Sequence, residues 1–379
     1  MVPSYSIWHF CRHSLKCSDI RTNFRSVYAR GVSSDVQTNP TDAPESRTKI
    51  LKVAIVGAPN SGKSTLINQI VQRRVFPVSK KVHTTRCRAR AVFVEGATQL
   101  VFLDTPGLVS ASESQKYHLE TEFMTGGEDA INEADVIGVV HDLSNGFTKA
   151  HLDPKVLRLL HIYRPKESVL IMNKIDTVKS KRYLLDLADL LTGGYLNKPA
   201  SHSSQLSENL IAEVVKRKSY WEHFKDVFMV SALLGQGTAD IRSYLMRTAH
   251  PGDWVFPEET FTDQKPVRLI EDTIRAALLD HLPQEIPYNL SVQLEFLDID
   301  DDIDQVTAVV LVGCKSPRIH RLVVGSGGER IKAITSHAES ILVDAFQKEV
   351  TLRIVVSRPL KLPEYKEENN FLLRKTIDK

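Results

Sequence analysis

The sequence predicts an α/β fold, a mostly parallel sheet with flanking helices, followed by a smaller α+β domain. Three observations carry this. Short apolar runs recur at Val53–Val56, Leu100–Leu103, Val136–Val140, Val169–Met172 and Val227–Val230, each closed by a polar loop as buried parallel strands are. The first run leads into Gly57-Ala58-Pro59-Asn60-Ser61-Gly62-Lys63-Ser64 and then into a helical stripe of Leu66, Ile67, Ile70 and Val71. A second glycine cluster, Gly325-Ser326-Gly327-Gly328, lies far downstream between two helical runs.

The octapeptide fits G-x-x-x-x-G-K-[ST], and its strand–loop–helix setting is what the motif needs. The loop's N–H groups and the helix N-terminus must converge on one anion. Gly57 and Gly62 let the backbone approach a pyrophosphate without a Cβ in the way. Lys63 would reach the β- and γ-phosphates, the Ser64 hydroxyl would bind Mg²⁺, and Thr65 completes the expected contact run. The bland alternative, a glycine-rich turn with an exposed lysine, does not account for the flanks.

The remaining strand ends fit the same ligand. Leu100–Leu103 ends on Asp104-Thr105-Pro106-Gly107, where Asp104 would hold Mg²⁺ through water and the Gly107 N–H would meet a γ-phosphate. A polar, basic stretch from Ser79 to Arg90, containing Thr84 and Thr85, precedes an alternating strand at Ala91–Val94. Val136–Val140 ends on His141-Asp142, which suggests no ligand role. Val169–Met172 ends on Asn173-Lys174-Ile175-Asp176. A carboxylate at Asp176 accepts the N1–H and 2-amino N–H of guanine, a pair that adenine does not offer. The Lys174 stem would lie along the base, and Ser231-Ala232 would brace the pocket.

Taken in order, Gly57–Ser64, Thr84-Thr85-Arg86, Asp104–Gly107, Asn173–Asp176 and Ser231-Ala232 resemble the Era-type GTPases of the translation-factor class. The strings Ser79–Arg86, Asp104–Leu108 and Ile286-Pro287-Tyr288 strengthen that resemblance. It covers residues 50–357 and implies GTP/GDP and Mg²⁺ as ligands, with Thr85 completing the metal shell beside Ser64 and Asp104. It also implies a catalytic set of Lys63, Thr85, Asn60 and Gly107, with K⁺ held at Asn60. Simple turn chemistry explains Asn60 equally well. Leu108 stands where Ras-like proteins carry the glutamine that orients the attacking water, so intrinsic hydrolysis is expected to be slow.

Beyond Asp176 an insertion spans 177–226, longer than in bacterial relatives. It holds an amphipathic run at Tyr183–Leu191 and a second from Leu210 that carries Lys216-Arg217-Lys218. That basic cluster reads as a solvated face before it reads as an RNA or partner contact. Ile241–Ala249 closes the first domain, expected at 46–252, and 253–264 is expected to be a linker.

The second domain, 265–357, reads helix (Val267–Leu282), strand (Leu290–Phe296), strand (Thr307–Gly313), helix (Ile319–Val324), Gly325–Gly328, helix (Glu329–Gln347) and strand (Val350–Val356). This is the order of a type II KH domain, whose G-x-x-G loop clamps a nucleic-acid backbone. Expected RNA contacts are Arg318, Arg321, Gly325, Ser326, Gly327, Gly328, Arg330 and Lys332. Ser326 and Gly327 stand where related loops often place a lysine. The five aspartates between 298 and 304 read as a solvated hairpin turn rather than a calcium loop.

With 379 residues, 42% hydrophobic, 25% charged and a formal charge of +3, the composition is that of a globular protein and does not by itself indicate nucleic acid. No apolar run approaches the ~20 residues of a membrane span. The four cysteines, Cys11, Cys17, Cys87 and Cys314, show no metal-ligand spacing and suit a reduced compartment. Residues 1–45 are rich in Arg and Ser and poor in acids, the composition of a mitochondrial transit peptide, with a basic tail as the alternative. Residues 358–379 form a C-terminal tail. The expected protein is therefore a monomeric, mitochondrial-matrix GTPase and small-subunit ribosomal RNA-binding assembly factor. By the resemblance it binds near the 3′ end of that RNA on the pre-ribosomal small subunit, and peripheral inner-membrane association stays open. Two rivals are a GTPase of membrane remodelling and a nucleotide-gated RNA scaffold with little hydrolysis.

Overall fold

A computed structural model describes residues 48–79, 89–104, 129–196, 207–283 and 286–357. The first sheet is built outward from β1 (Lys49–Val56). β1 lies parallel to β3 (Thr98–Asp104) on one side and to β4 (Val136–Asp142) on the other. β5 (Glu167–Asn173) and β6 (Phe224–Met229) continue the parallel run, while β2 (Ala89–Glu95) pairs antiparallel with β3. A two-residue strand, β7 (His250–Pro251), pairs with the start of β1. The central strands are buried on both faces, which is why they read as unbroken apolar runs and not as alternations.

Helices cover both faces. α1 (Lys63–Val71) and α5 (Thr238–Thr248) pack Leu66, Ile70 and Leu245 against Val53, Phe102 and Phe228. On the other face, α2 (Pro154–Ile162) and α3 (Lys181–Thr192) bring Leu157 and Leu187 against Ile137, Leu170 and Phe224. α2 starts cleanly because Asp153 caps it, accepting from Lys155 N at 2.8 Å, and Pro154 follows at the first helical position. α4 (Glu208–Arg217), from the insertion, packs on α2. All five parallel strands end on the same edge, where the loops after β1, β4, β5 and β6 gather.

The second sheet has the order β10-β9-β8, from β8 (Ser291–Asp300), β9 (Gln305–Gly313) and β10 (Glu349–Ser357). β8 and β9 are antiparallel, and β9 and β10 are parallel. In β9 the residues Val306, Ala308, Val310 and Val312 alternate inward, the period-two pattern of a sheet with one covered face. α6 (Pro266–His281) and α8 (Glu329–Phe346), with the short α7 (Pro317–Val324), supply Ile270, Ile274, Leu278, Ile334 and Leu342 to that core. The element order matches the type II KH expectation. The aspartate-rich turn is anchored by Lys348, whose ammonium bonds Asp301 at 2.7 Å and Asp304 at 3.2 Å. No group of side chains there, or elsewhere among the described residues, is arranged to hold a metal by itself.

Residues 253–264, expected as a linker, are bonded along their length to the first sheet. Gln99, fully buried in β3, donates its amide to the Phe256 carbonyl and accepts the N–H groups of Val255 and Phe256. Further on, Val92 N donates to the Phe261 carbonyl at 2.9 Å and Thr262 bridges to Ala91. Arg90 pairs with both Asp263 and Glu133. Two bonds also join the α1 exit to the second domain, Arg74 N to Asp344 at 3.0 Å and Ser79 Oγ to Asp280 at 2.7 Å.

Gln99→Leu keeps the apolar volume of the site but strands two backbone N–H groups and a carbonyl. It should lower unfolding free energy by about 2 kcal/mol. A urea midpoint equal to wild type would show that the segment is held by its other contacts.

Candidate functional site

At the end of β1 the chain curls through residues 57–62 into α1. A Cβ on Gly57 would lie 2.4 Å from the Val140 carbonyl oxygen, and one on Gly62, whose φ is 96°, would lie 2.3 Å from Asn173 Nδ2. Neither position admits a side chain, so bare backbone forms the cradle. Lys63 Nζ sits inside the curl, donating to the carbonyls of Gly57 at 3.2 Å and Ala58 at 3.0 Å. Burial lowers its pKa from 10.5 to about 8, with the Asp104 carboxylate pulling the other way. A polyphosphate in the cradle supplies the negative charge that favours the protonated form.

Ser64 Oγ donates to Asp104 Oδ2 at 2.8 Å. A hydroxyl and a buried carboxylate thereby meet beside the cradle, the oxygen donors that suit a hard divalent cation. Thr65, Ala58 and Pro59 are half-buried, while Asn60 is exposed and adopts φ 58°. Asparagine tolerates that left-handed conformation, which suits the turn. Thr84, Thr85, Thr105, Pro106, Gly107 and Leu108 lie outside the described residues, as do residues 1–45 and 358–379.

Asn173 joins the cradle to the loops after β5 and β6. Its Nδ2 donates to the Ser61 carbonyl at 2.8 Å, and its Oδ1 accepts Lys174 N at 2.8 Å and Ala232 N at 2.9 Å. The residue read from sequence as part of a base-contacting set is thus a joint between three loops. Asp176 Oδ1 accepts from the Ser231 hydroxyl at 2.5 Å, so the serine orients the carboxylate. Lys174 reaches Asp142 Oδ2 at 2.6 Å. Sequence reasoning gave Asp142 no role. The signal was its place at the end of the neighbouring strand, in register with Asn173.

The second glycine loop joins α7 to α8. Gly325, Gly327 and Gly328 all have positive φ, at 77°, 58° and 82°. Only Gly325 is also crowded, since a Cβ there would lie 2.7 Å from Arg330 Cβ, whereas Gly327 and Gly328 face open space. Arg318, Arg321, Ser326, Gly327 and Lys332 are exposed. Arg330 is half-buried, and its guanidinium donates to the Leu322 carbonyl near the end of α7.

Relatives with this pattern have names. The mitochondrial GTPase Era of Danio rerio is 36% identical, over 83% of this chain and 76% of its own length. The mitochondrial GTPase Era of Caenorhabditis elegans is 30% identical, over 83% and 91%. The chain belongs to the Era family of GTPases. A bacterial GTPase Era from Dinoroseobacter shibae matches at 34% identity over 82% of the chain and 91% of its own length. A family model described as 50S ribosome-binding GTPase matches residues 52–174, which takes in the cradle and Asp104 but none of the second sheet. Two solved structures share the Era fold at TM-score 0.63 and 24% identity, each covering 83% of this chain and 95% of the other. One is Aquifex aeolicus Era bound to GDP and AlF4⁻, and the other is Era with MgGDPNP and nucleotides 1506–1542 of 16S ribosomal RNA. As an Era family member the chain is a GTPase.

Because burial lowers the Lys63 pKa to about 8, phosphates bound beside it above that pH should return a proton to it. At pH 8.5, calorimetry in buffers of different ionisation enthalpy should show uptake of about half a proton or more per GDP bound, with affinity falling as pH rises further. No uptake would mean that Lys63 keeps its proton without the phosphates.

Proposed function

We propose that this Era-family GTPase works in the mitochondrial matrix as an assembly factor of the small ribosomal subunit, binding small-subunit ribosomal RNA near its 3′ end and hydrolysing GTP. The observation that carries this reading is that one chain holds both a nucleotide cradle and a G-x-x-G loop flanked by exposed Arg318, Arg321 and Lys332. Among the described residues, none of these three cations is engaged in an ion pair, so each is available to phosphates. An Era in a solved complex binds a 16S ribosomal RNA fragment, and several relatives are mitochondrial forms of GTPase Era. The matched 50S ribosome-binding GTPase family spans the first domain alone and does not bear on the second sheet.

In this reading Gly57–Thr65 bind the phosphates, with Lys63 neutralising charge that builds on the β- and γ-phosphoryl oxygens as the bond to the γ-phosphorus breaks. Ser64 and Asp104, with Thr85, hold Mg²⁺, which supplies electrostatic stabilisation to the same oxygens. Thr105, Pro106 and Gly107 are nucleotide contacts, with the Gly107 N–H for the γ-phosphate. Asp176 reads the guanine edge, braced by Ser231 and Ala232, while Asn173 keeps base loop and cradle in register. Asn60 holds K⁺, which offsets the missing water-orienting glutamine at Leu108. The chain divides into a transit peptide (1–45), a GTPase domain (46–252), a linker (253–264), a type II KH domain (265–357) and a tail (358–379). It is read as a monomer whose contact with the inner membrane is peripheral.

Gly328→Asp tests the KH loop, since aspartate tolerates a left-handed φ such as the 82° at this position better than most residues do. It adds a negative charge facing open space, whereas a change at Gly325 would also disturb α8. RNA affinity should fall at least about tenfold with nucleotide affinity retained, and Arg321→Ala should shallow the log–log salt slope by about one. RNA binding by Gly328→Asp equal to wild type would sink the assignment.

For the potassium role, GTP hydrolysis should be faster in K⁺ than in Na⁺ at equal ionic strength, and Asn60→Ala should erase the difference. Equal rates in the two salts remove K⁺ and leave RNA or a protein partner to place the water.

A further inference from the structure

Asp142 ends β4, outside the phosphate cradle and away from the Ser64–Asp104 pair. Both of its oxygens are nevertheless held. Oδ2 meets Lys174 Nζ at 2.6 Å, and Oδ1 accepts the Ser144 N–H at 2.8 Å and the Ser144 hydroxyl at 2.6 Å. A carboxylate gripped from both sides has little freedom to turn.

Lys174 carries the second clue. Its φ and ψ are 64° and 37°, a left-handed conformation that a residue with a β-carbon adopts at a cost and glycine adopts freely. The backbone is clamped there: its N–H donates to Asn173 Oδ1 at 2.8 Å, and its carbonyl accepts from Thr177 N at 3.1 Å and Thr177 Oγ1 at 2.7 Å. A glycine would relieve the strain, so the position holds lysine for its side chain. With the backbone fixed by Asn173 and Thr177 and the ammonium fixed by Asp142, the four-carbon stem is held at both ends. It issues from the same turn that carries Asp176.

We infer that Asp142 is a positioning residue for guanine binding: it holds the Lys174 stem extended as a preformed wall for the face of the base. The inference rests on the reading of residues 173–176 as the base site. A free lysine would have to surrender rotamer freedom each time a base docked, and the ion pair has removed that freedom beforehand. The pair is partly exposed, with side chains 31% and 21% accessible, so it adds little to fold stability and its loss should leave the protein folded.

The test uses the full chain and three ligands. Asp142→Asn should weaken GDP and IDP alike by about tenfold, the scale of one charge-assisted bond. Inorganic tripolyphosphate, which occupies the cradle without a base, should bind as to wild type. In a Lys174→Met background, which keeps an apolar stem but no charge, adding Asp142→Asn should change nothing further. Three results would each overturn the inference: unchanged GDP affinity, an equal loss for tripolyphosphate, or the same loss with Met at 174. If Asp142→Asn does not fold, Ser144→Ala decides. It loosens the carboxylate while keeping its charge and should show a smaller loss confined to ligands with a base, and no loss overturns the proposal. Asp176→Asn separates the two levels. If it too leaves GDP affinity intact, the base-site reading itself fails; if it alone abolishes binding, only the role of Asp142 falls.

Discussion

Asn173 is the point on which the nucleotide site depends. One buried amide ties the carbonyl of Ser61 in the phosphate loop to the N–H groups of Lys174 and Ala232 in the loops after β5 and β6. The two halves of a nucleotide are joined covalently, so a protein that binds both must keep its own two halves at a fixed separation. Here that separation is set by hydrogen bonds in a dry environment, where leaving any one unmade costs more than the bond itself contributes. The same amide explains Gly62. Its nitrogen stands where a side chain at 62 would have to go.

The cradle is locally unfavourable as a piece of folded protein. It buries an ammonium whose pKa is pulled down to about 8, beside a carboxylate that is almost fully buried. Opposite charges nearby soften the penalty without removing it. What tolerates this is the sheet beneath: Val53, Phe102, Ile137 and Leu170 pack its two faces, and the loops only extend from strands already held. Rigid strands therefore carry a strained, charged rim, and ligand binding relieves part of the strain.

Much of this was legible in the sequence because it is local. Each parallel strand is a short apolar run with a polar end, and each motif residue sits within a few positions of the strand that presents it. The glycine requirement at 57 and 62, the Ser64–Asp104 meeting and the order of the KH elements all follow from such runs. What was not legible depends on neighbours in space. Asp142 gains a meaning only when β4 and β5 lie side by side, and Asn173 is seen as a joint only once three loops converge. Arg330 counts as a surface cation in the sequence, yet its guanidinium closes α7. Gln99 looks like a polar interruption of a buried strand until the backbone of residues 255–256 arrives to use it.

That last feature has a bearing on how the chain can be divided. β2 lies at the end of the strand order, and residues 261–263 run beside it, with Val92 bonded to Phe261 and Ala91 bridged to Thr262. An unpaired strand edge is a template for another chain, and covering it is one way proteins avoid sticking to one another. A fragment ended at the apparent close of the first domain, near residue 252, would leave β2 bare over that stretch. A fragment carried through Asp263 would keep its cover. The segment between the two domains thus doubles as a guard against self-association of the first.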